Sequence, residues 1–129
     1  MAINNIHKIA LVTDDVESAV NFYTQTLGLE VMERFPNEDD DDYVFLKAGD
    51  IILELMPQKT TQADLGFHHI SFKVDSVDES AQELKDKGTE LEEEPFDAGD
   101  TGIRLSFLRG PNQVLLQLFR RSLQDSTDS

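Results

Sequence analysis

Four strand-like segments of this sequence each carry a polar side chain on the face opposite to an apolar one. The four side chains are Lys8, Glu54, His69 and Gln117. Because side chains alternate between the two faces of a strand, each of the four is predicted on the face opposite to a uniformly apolar set. Carboxylate, imidazole and amide groups can ligate metal ions, and the first two can also transfer protons. The sequence therefore predicts a polar cluster with chemical capacity on one face of a sheet.

Glu54 is the strongest indication of a functional site among the four, because it is the single charged residue in the segment Ile51-Ile52-Leu53-Glu54-Leu55-Met56. A carboxylate among apolar neighbours is costly unless a cation, a metal ion or a proton compensates its charge. Two interpretations stay open. Glu54 is a metal ligand or a catalytic base, or it pairs with Lys8 and makes the cluster self-sufficient.

The elements that position these residues occur twice in the chain. Residues 8–17 are similar to residues 69–78, and each stretch passes from strand-like alternation into a helical period. Asp14 or Asp15 and Ser76 are candidate N-caps, while Gly28 and Gly88 stand where the two helices should end. The strand candidates that follow the helices are 30–34, 43–47 and 51–56, then 89–93, 103–108 and 114–119. Both halves are therefore predicted to have the order βαβββ, which is an α+β architecture.

A length of 129 residues fits one domain. We place that domain at residues 1–121, with module one at about 3–57, a connector at 57–65 and module two at about 66–119. The polar segment 122–129 is predicted to be a disordered tail.

Composition excludes several classes of function. A formal net charge of −15 would repel phosphate backbones and anionic membranes, so no nucleic-acid or membrane partner is expected. The apolar runs are too short to span a bilayer, and the absence of Cys excludes disulfides and thiolate metal sites. The N-terminus lacks the features of a secretory signal, which favours a cytoplasmic location. A small-molecule substrate or ligand remains the expected partner.

The sequence resembles the vicinal oxygen chelate superfamily over nearly residues 3–119. The resemblance rests on Ile9-Ala10-Leu11-Val12-Thr13-Asp14-Asp15-Val16 leading into Asn21-Phe22-Tyr23 and Leu27-Gly28-Leu29, and on Phe67-His68-His69-Ile70-Ser71-Phe72-Lys73-Val74-Asp75. The superfamily includes glyoxalases, methylmalonyl-CoA epimerases, extradiol dioxygenases and the fosfomycin and bleomycin resistance proteins. The resemblance implies a glyoxalase-like fold, in which two βαβββ modules form a curved mixed sheet around a shared cavity, and a homodimer.

The resemblance also assigns roles to the four polar residues. In metal-using members the first, fourth, fifth and eighth strands each give one ligand, and these positions correspond here to Lys8, Glu54, His69 and Gln117. It thus implies a divalent ion (Ni, Zn, Mn, Co or Fe) held by Glu54, His69 and Gln117, with Glu54 as the catalytic base. Two positions depart from the pattern. A protonated lysine has no lone pair to offer, and the neutral amide of Gln117 cannot act as a base.

The sequence leaves two interpretations open for the role of each of two further residues, His7 and Arg104. His7 lies one residue from the first ligand position, so it is either a surface or strand-end histidine or, if a bulge shifts the register, a replacement ligand. Arg104 alternates with Ile103, Leu105 and Phe107, so it either enters the substrate cavity with Lys8 and holds an anionic group or faces solvent.

Two functions of different class follow. The first is a glyoxalase-like or epimerase-like lyase or isomerase that acts on a small oxygenated metabolite, with a divalent metal that polarises adjacent substrate oxygens. The alternative is a metal-free protein that binds or sequesters a small molecule, of the bleomycin-resistance type. Lys8 at a ligand position favours the second function.

Overall fold

The computed structural model describes residues 3–36 and 41–122, and these fall into two compact units. The first unit comprises residues 8–68, and the second unit comprises the described parts of residues 1–7 and 69–129. Of the tail predicted at 122–129, only Ser122 lies within the described residues. Among those residues, no helix is long and apolar enough to cross a membrane.

In the first unit the elements have the predicted order βαβββ. They are β1 (Ile3–Thr13, whose first five residues fall in the second unit), α1 (Val16–Asn21), a π-helical turn (Phe22–Thr26), β2 (Glu30–Phe35), β3 (Tyr43–Ala48), β4 (Ile51–Pro57) and α2 (Gln58–Thr61). The strands lie in the order β2-β3-β4-β1, with β1 parallel to β4 and the other pairs antiparallel. The helix α2 lies in the segment that the sequence predicts as a plain connector.

The second unit repeats this order. Its elements are β5 (Gly66–Val74, whose first three residues fall in the first unit), α3 (Val77–Asp86), β6 (Leu91–Asp97), β7 (Ile103–Arg109), a 3₁₀ turn (Pro111–Gln113) and β8 (Leu115–Arg121). The strands lie in the order β5-β8-β7-β6, with β5 parallel to β8 and the others antiparallel. The predicted α+β class and the duplicated βαβββ order are therefore confirmed. The cavity expected between the modules stays a prediction.

The helix boundaries follow the predicted local signals. The side chain of Asp15 accepts a 3.0 Å hydrogen bond from the backbone N–H of Ser18, and Ser76 accepts one of 3.1 Å from Glu79. Gly28 and Gly88 have φ values of 79° and 89°, a left-handed conformation that ends a helix at low cost in glycine. The first helix changes to π geometry at Phe22, a change that the sequence does not predict.

One helix-facing core lies in each unit. In the first unit it consists of Val16, Val20, Val44, Leu46 and Leu55, with Leu11 and Leu53 against them. In the second unit it consists of Val74, Val77, Leu108 and Leu118, with Leu84 and Leu116 against them. Six strand residues of the apolar set predicted from alternation are found in these cores, namely Leu11, Leu53, Leu55, Val74, Leu116 and Leu118. The first unit also buries Ala10, Val12 and Met56 on the opposite face of its strands, beside Tyr43.

Candidate functional site

Lys8 and Glu54 lie on that opposite face of the first unit. The parallel register pairs Lys8 with Ile52 and Ala10 with Glu54. The side chains of Lys8 and Glu54 therefore lie on the same face of adjacent strands, two residues apart along the register. Lys8 is 2% exposed and Glu54 9% exposed. The structure therefore brings together two charged residues that the sequence predicts to share a face, in a setting lined by apolar side chains.

The electrostatics of Glu54 are dominated by its removal from water. Burial raises the pKa of the Glu54 carboxyl above its usual value, and the positive charge of Lys8 opposes that rise without overcoming it. Burial, with a smaller contribution from the negative charge of Glu54, also raises the pKa of the Tyr43 hydroxyl. Lys8 and Tyr43 thus both interact electrostatically with this carboxyl group.

Strand β3 contributes two aromatic residues that the sequence analysis does not assign to the site. Phe45 pairs with Glu54 across the β3–β4 ladder, and Nζ of Lys8 lies 5.8 Å from the centroid of its ring. A cation at that distance from an aromatic face is attracted by the ring quadrupole. The alternation of Tyr43 and Phe45 with the buried Val44 and Leu46 was the signal that could have placed them on this face.

His69 and Gln117 lie in the second unit and are both buried. Gln117 pairs with Ser71 on β5 and with Phe107 on β7. The hydroxyl of Ser71 donates a 2.6 Å hydrogen bond to Oε1 of Gln117, and the His69 ring packs edge-on against Phe107 with centroids 5.4 Å apart. Ser71 and Phe107 are therefore the neighbours of the predicted site residues that sequence reasoning missed.

His7 is not the surface or strand-end histidine that the sequence favours. It is buried, and its ring stacks on Phe119 with centroids 4.2 Å apart and planes inclined by 20°. Phe119 lies two residues after Gln117 on β8, so it shares the face of Gln117. The stacking contact is the physical reason for the burial of His7, and whether His7 ligates a metal stays untested.

Arg104 does not share the Gln117 face, which does not favour its predicted place in a substrate cavity with Gln117; that role stays a prediction. Gln117 is paired with Phe107 on β7, and Arg104 projects to the opposite side from Phe107 because three residues separate them. Its guanidinium group binds the carboxylate of Asp78 through Nε and Nη2, at 2.7 and 2.9 Å, and Asp97 through Nη1 at 3.0 Å. Arg104 is thus the partly exposed alternative, with two carboxylate partners.

The side chains do not match the donor set of a divalent metal. The Lys8 ammonium lacks a lone pair, and its charge acts on Glu54, the carboxylate that would have to balance the ion. Oε1 of Gln117, the amide atom that ligates metals, has two lone pairs, and one of them accepts a hydrogen bond from Ser71. In the described ranges 3–36 and 41–122, no group of three His, Cys, Asp or Glu side chains could hold a metal ion. The ligand set Glu54, His69 and Gln117 stays a prediction that these contacts do not favour.

Comparisons with known sequences give one family. The model of the Glyoxalase/Bleomycin resistance protein/Dioxygenase superfamily matches residues 5–118. The protein YwkD of Bacillus subtilis is 32% identical, over 94% of this chain and 100% of its own length. The mitochondrial methylmalonyl-CoA epimerase of Bos taurus is 26% identical, over 82% of this chain and 67% of its own.

Solved structures of methylmalonyl-CoA epimerases have a fold similar to that of this chain. A Streptomyces coelicolor methylmalonyl-CoA epimerase variant in complex with 2-nitronate-propionyl-CoA has a TM-score of 0.78 and 26% identity, and the match covers 94% of this chain and 96% of that one. The methylmalonyl-CoA epimerase of Mycobacterium tuberculosis has a TM-score of 0.79 over 97% of this chain and 93% of its own; at 17% identity it supports the fold alone. The predicted glyoxalase-like fold is confirmed by these neighbours.

Proposed function

The chain belongs to the Glyoxalase/Bleomycin resistance protein/Dioxygenase superfamily, and we propose that it is an isomerase that acts on an acyl-CoA thioester. Three of its relatives are named methylmalonyl-CoA epimerase, and similar structures at 26% identity hold methylmalonyl-CoA or 2-nitronate-propionyl-CoA. These names narrow the expected small oxygenated metabolite to a thioester, and they favour an isomerase over a lyase.

The chemistry of such a reaction needs a base beside an acidic carbon. A base removes the proton from the carbon next to the thioester carbonyl, and the C–H electron pair moves onto the carbonyl oxygen as an enolate. Return of a proton to the opposite side of the carbon inverts the centre and consumes nothing. The requirement on the protein is therefore a carboxylate or a similar group that is a stronger base than it would be in water.

Glu54 is the residue that we assign to proton removal. The observation that carries this assignment is the burial of its carboxyl group on the face of Ala10, Val12 and Met56. Desolvation penalises the carboxylate form, so its affinity for a proton increases, as the raised pKa also indicates. A buried carboxyl group beside apolar side chains is thus suited to take a proton from a weak carbon acid.

A divalent metal held by Glu54, His69 and Gln117 is not part of this proposal. In metal-using relatives the ion supplies Lewis acidity to the substrate oxygens. The positive charge of Lys8 beside Glu54 argues against that ligand set in this chain. A homodimer and a cytoplasmic location remain expectations from the sequence.

Lys8 also favours one alternative function, a metal-free protein that binds a small molecule without changing it. A lysine charge beside Glu54 leaves a cluster that is balanced without an ion, which suits a binding pocket as well as a catalytic one. The two functions differ in whether a proton leaves the substrate carbon.

Exchange of the substrate proton with solvent deuterium distinguishes the isomerase from the binding protein. In D₂O the wild-type protein is expected to replace the proton on the carbon next to the thioester carbonyl of methylmalonyl-CoA, followed by ¹H NMR against a protein-free sample. Glu54→Gln should lower the exchange rate by about 100-fold or more, whereas Glu30→Gln, an exposed position of the same unit, should leave it unchanged. Saturable binding of methylmalonyl-CoA without exchange would refute the isomerase and support the binding protein.

A further inference from the structure

Lys8 is a lysine in an unusual setting. Its side chain is 2% exposed, and the aromatic face of Phe45 lies 5.8 Å from Nζ. A charged ammonium group is costly to bury unless an opposite charge and suitable polar contacts compensate for the lost water. Glu54, on the same face of the neighbouring strand, supplies the opposite charge. The first unit thus contains a buried cation that the protein itself provides.

The cation is placed where a negative charge moves during the proposed reaction. Before proton removal the negative charge is on the Glu54 carboxylate. After proton removal Glu54 is neutral, and the negative charge is on the enolate oxygen of the substrate. The sum of the charges of Lys8, Glu54 and the substrate is the same before and after proton removal. A cation that interacts with Glu54 can therefore also stabilise the enolate, provided that the N–H donors of the cation reach the enolate oxygen.

We propose that Lys8 supplies the positive charge that stabilises the enolate oxygen, so that proton transfer at Glu54 proceeds without a divalent metal. The inference rests on the proposed function for its catalytic part. The C–H bond breaks, the proton goes to the Glu54 carboxylate and the electron pair goes to the carbonyl oxygen. The oxygen accepts a hydrogen bond from the Lys8 ammonium. Return of a proton to the carbon re-forms the C–H bond and the carbonyl group; a proton returned to the original side gives solvent exchange, and one returned to the opposite side gives inversion. Neither an oxidant nor a co-reactant is required.

The catalytic part is tested with protein that has been treated with EDTA and desalted. We expect exchange of methylmalonyl-CoA at the untreated rate, with no increase on addition of Co²⁺, Ni²⁺, Zn²⁺ or Mn²⁺. Lys8→Met should lower that rate by about 100- to 1,000-fold, the range for removal of one donor to an oxyanion. Lys47→Met, at an exposed position of the same unit, should leave it unchanged. Loss of exchange with EDTA and its recovery with one of these metals would overturn the inference.

A second measurement holds even if methylmalonyl-CoA is not a substrate. Metal content of the purified protein and its melting temperature with Co²⁺ or Zn²⁺ report on the cluster directly. Wild type and Lys47→His should contain less than stoichiometric metal and show no shift, whereas Lys8→His, which replaces the ammonium by an imidazole, should melt higher with metal. Stoichiometric metal in wild type, or a Lys8→His variant that responds no more than Lys47→His, would overturn the inference. Absence of exchange together with the expected metal behaviour would refute the proposed isomerase and the enolate role of Lys8, and it would support only the part of the inference that concerns a metal-free cluster.

Discussion

The hydroxyl group of Ser71 donates a 2.6 Å hydrogen bond to Oε1 of Gln117, and both side chains are buried. The two residues face each other across the parallel β5–β8 pair. The bond uses one of the two lone pairs of the amide oxygen and fixes the orientation of the Gln117 side chain. It also replaces the water that this oxygen would lose on burial, so the pair should contribute to stability as well as to the chemistry of the site.

A double-mutant cycle measures that contribution. Ser71→Ala should lower the free energy of unfolding by about 1–3 kcal/mol, because it leaves a buried acceptor with one partner fewer. In the background of Gln117→Leu, Ser71→Ala should cost less, which gives a coupling energy within about 0.5–3 kcal/mol by urea denaturation. Ser106→Ala is the matched control, since Ser106 is buried and donates a 2.7 Å bond to the backbone of Glu93. Its cost should be the same in both backgrounds. Additive effects of Ser71→Ala and Gln117→Leu would contradict the prediction.

The buried carboxyl of Glu54 predicts a pH-dependent stability. Because its pKa in the folded protein lies above the ordinary value of 4.5, the folded state holds this proton more tightly than the unfolded state. Its stabilising contribution is fully present below pH 4.5 and is lost as the pH rises through the raised pKa. Glu54→Gln removes this dependence, so the variant should gain stability relative to wild type as the pH rises. The gain grows as the pH rises from 4.5 to the raised pKa and is constant above it.

Thermal or urea unfolding from pH 4 to pH 8 checks this sign. Glu30→Gln is the control, because Glu30 is exposed and its variant should follow the wild-type curve. A Glu54→Gln variant that loses stability relative to wild type as the pH rises would contradict the prediction. It would mean that the charge of Lys8 outweighs desolvation in the folded protein.

Local signals in the sequence predict a large part of this fold. The caps at Asp15 and Ser76, and the glycines that end each helix, depend only on neighbouring residues. The alternation around Glu54 predicts its face because a strand places every second residue on the same side. Lys8 and Glu54 therefore meet on one face as expected from the sequence.

Other features depend on partners that are distant in sequence. Strand β6 runs to Asp97, past Pro95, because two register shifts against β7 accommodate a proline at an edge of the unit's sheet. The sequence predicts that strand to end at Glu93. Arg104 faces away from Gln117 because of the β7–β8 register, and His7 is buried by the ring of Phe119. The alternation of residues within a single strand does not predict which residues of other strands pack against each of its faces.

The stacked rings of His7 and Phe119 predict a specific packing energy. Phe119→Ala should lower the free energy of unfolding by about 3–5 kcal/mol, the cost of a large cavity in a buried site. A cycle between His7→Ala and Phe119→Leu should give a coupling energy of about 0.5–1.5 kcal/mol by urea denaturation, as for other aromatic pairs. Phe22→Leu, at a half-exposed ring, should change stability by less than about 0.5 kcal/mol. A His7→Ala cost that is the same with Phe or Leu at position 119 would contradict the coupling.

In each unit an arginine from a strand binds a carboxylate in the first turn of the helix. Arg34 binds both carboxylate oxygens of Glu17 at 2.8 and 3.3 Å, and Arg104 binds both of Asp78 at 2.9 and 2.7 Å. Glu17 and Asp78 are the second residues of α1 and α3. Both pairs are exposed enough that water screens much of their interaction, so we expect their effect in the titration of the carboxylates more than in overall stability.

The titration of Asp78 tests the second of these pairs. Hydrogen bonds from Arg104 hold the pKa of the Asp78 carboxyl below its ordinary value of 3.8, so any stability from this pair is present above pH 3.8 and is lost as the pH falls through the lowered pKa. Arg104→Met should therefore raise the pKa of Asp78 toward 3.8, followed by the ¹³C chemical shift of its carboxyl group. Arg34→Met should leave Asp78 unchanged, because its contacts are with Glu17 and Asp42. An Asp78 titration that is unmoved by Arg104→Met would mean that the guanidinium group does not hold this carboxylate in solution.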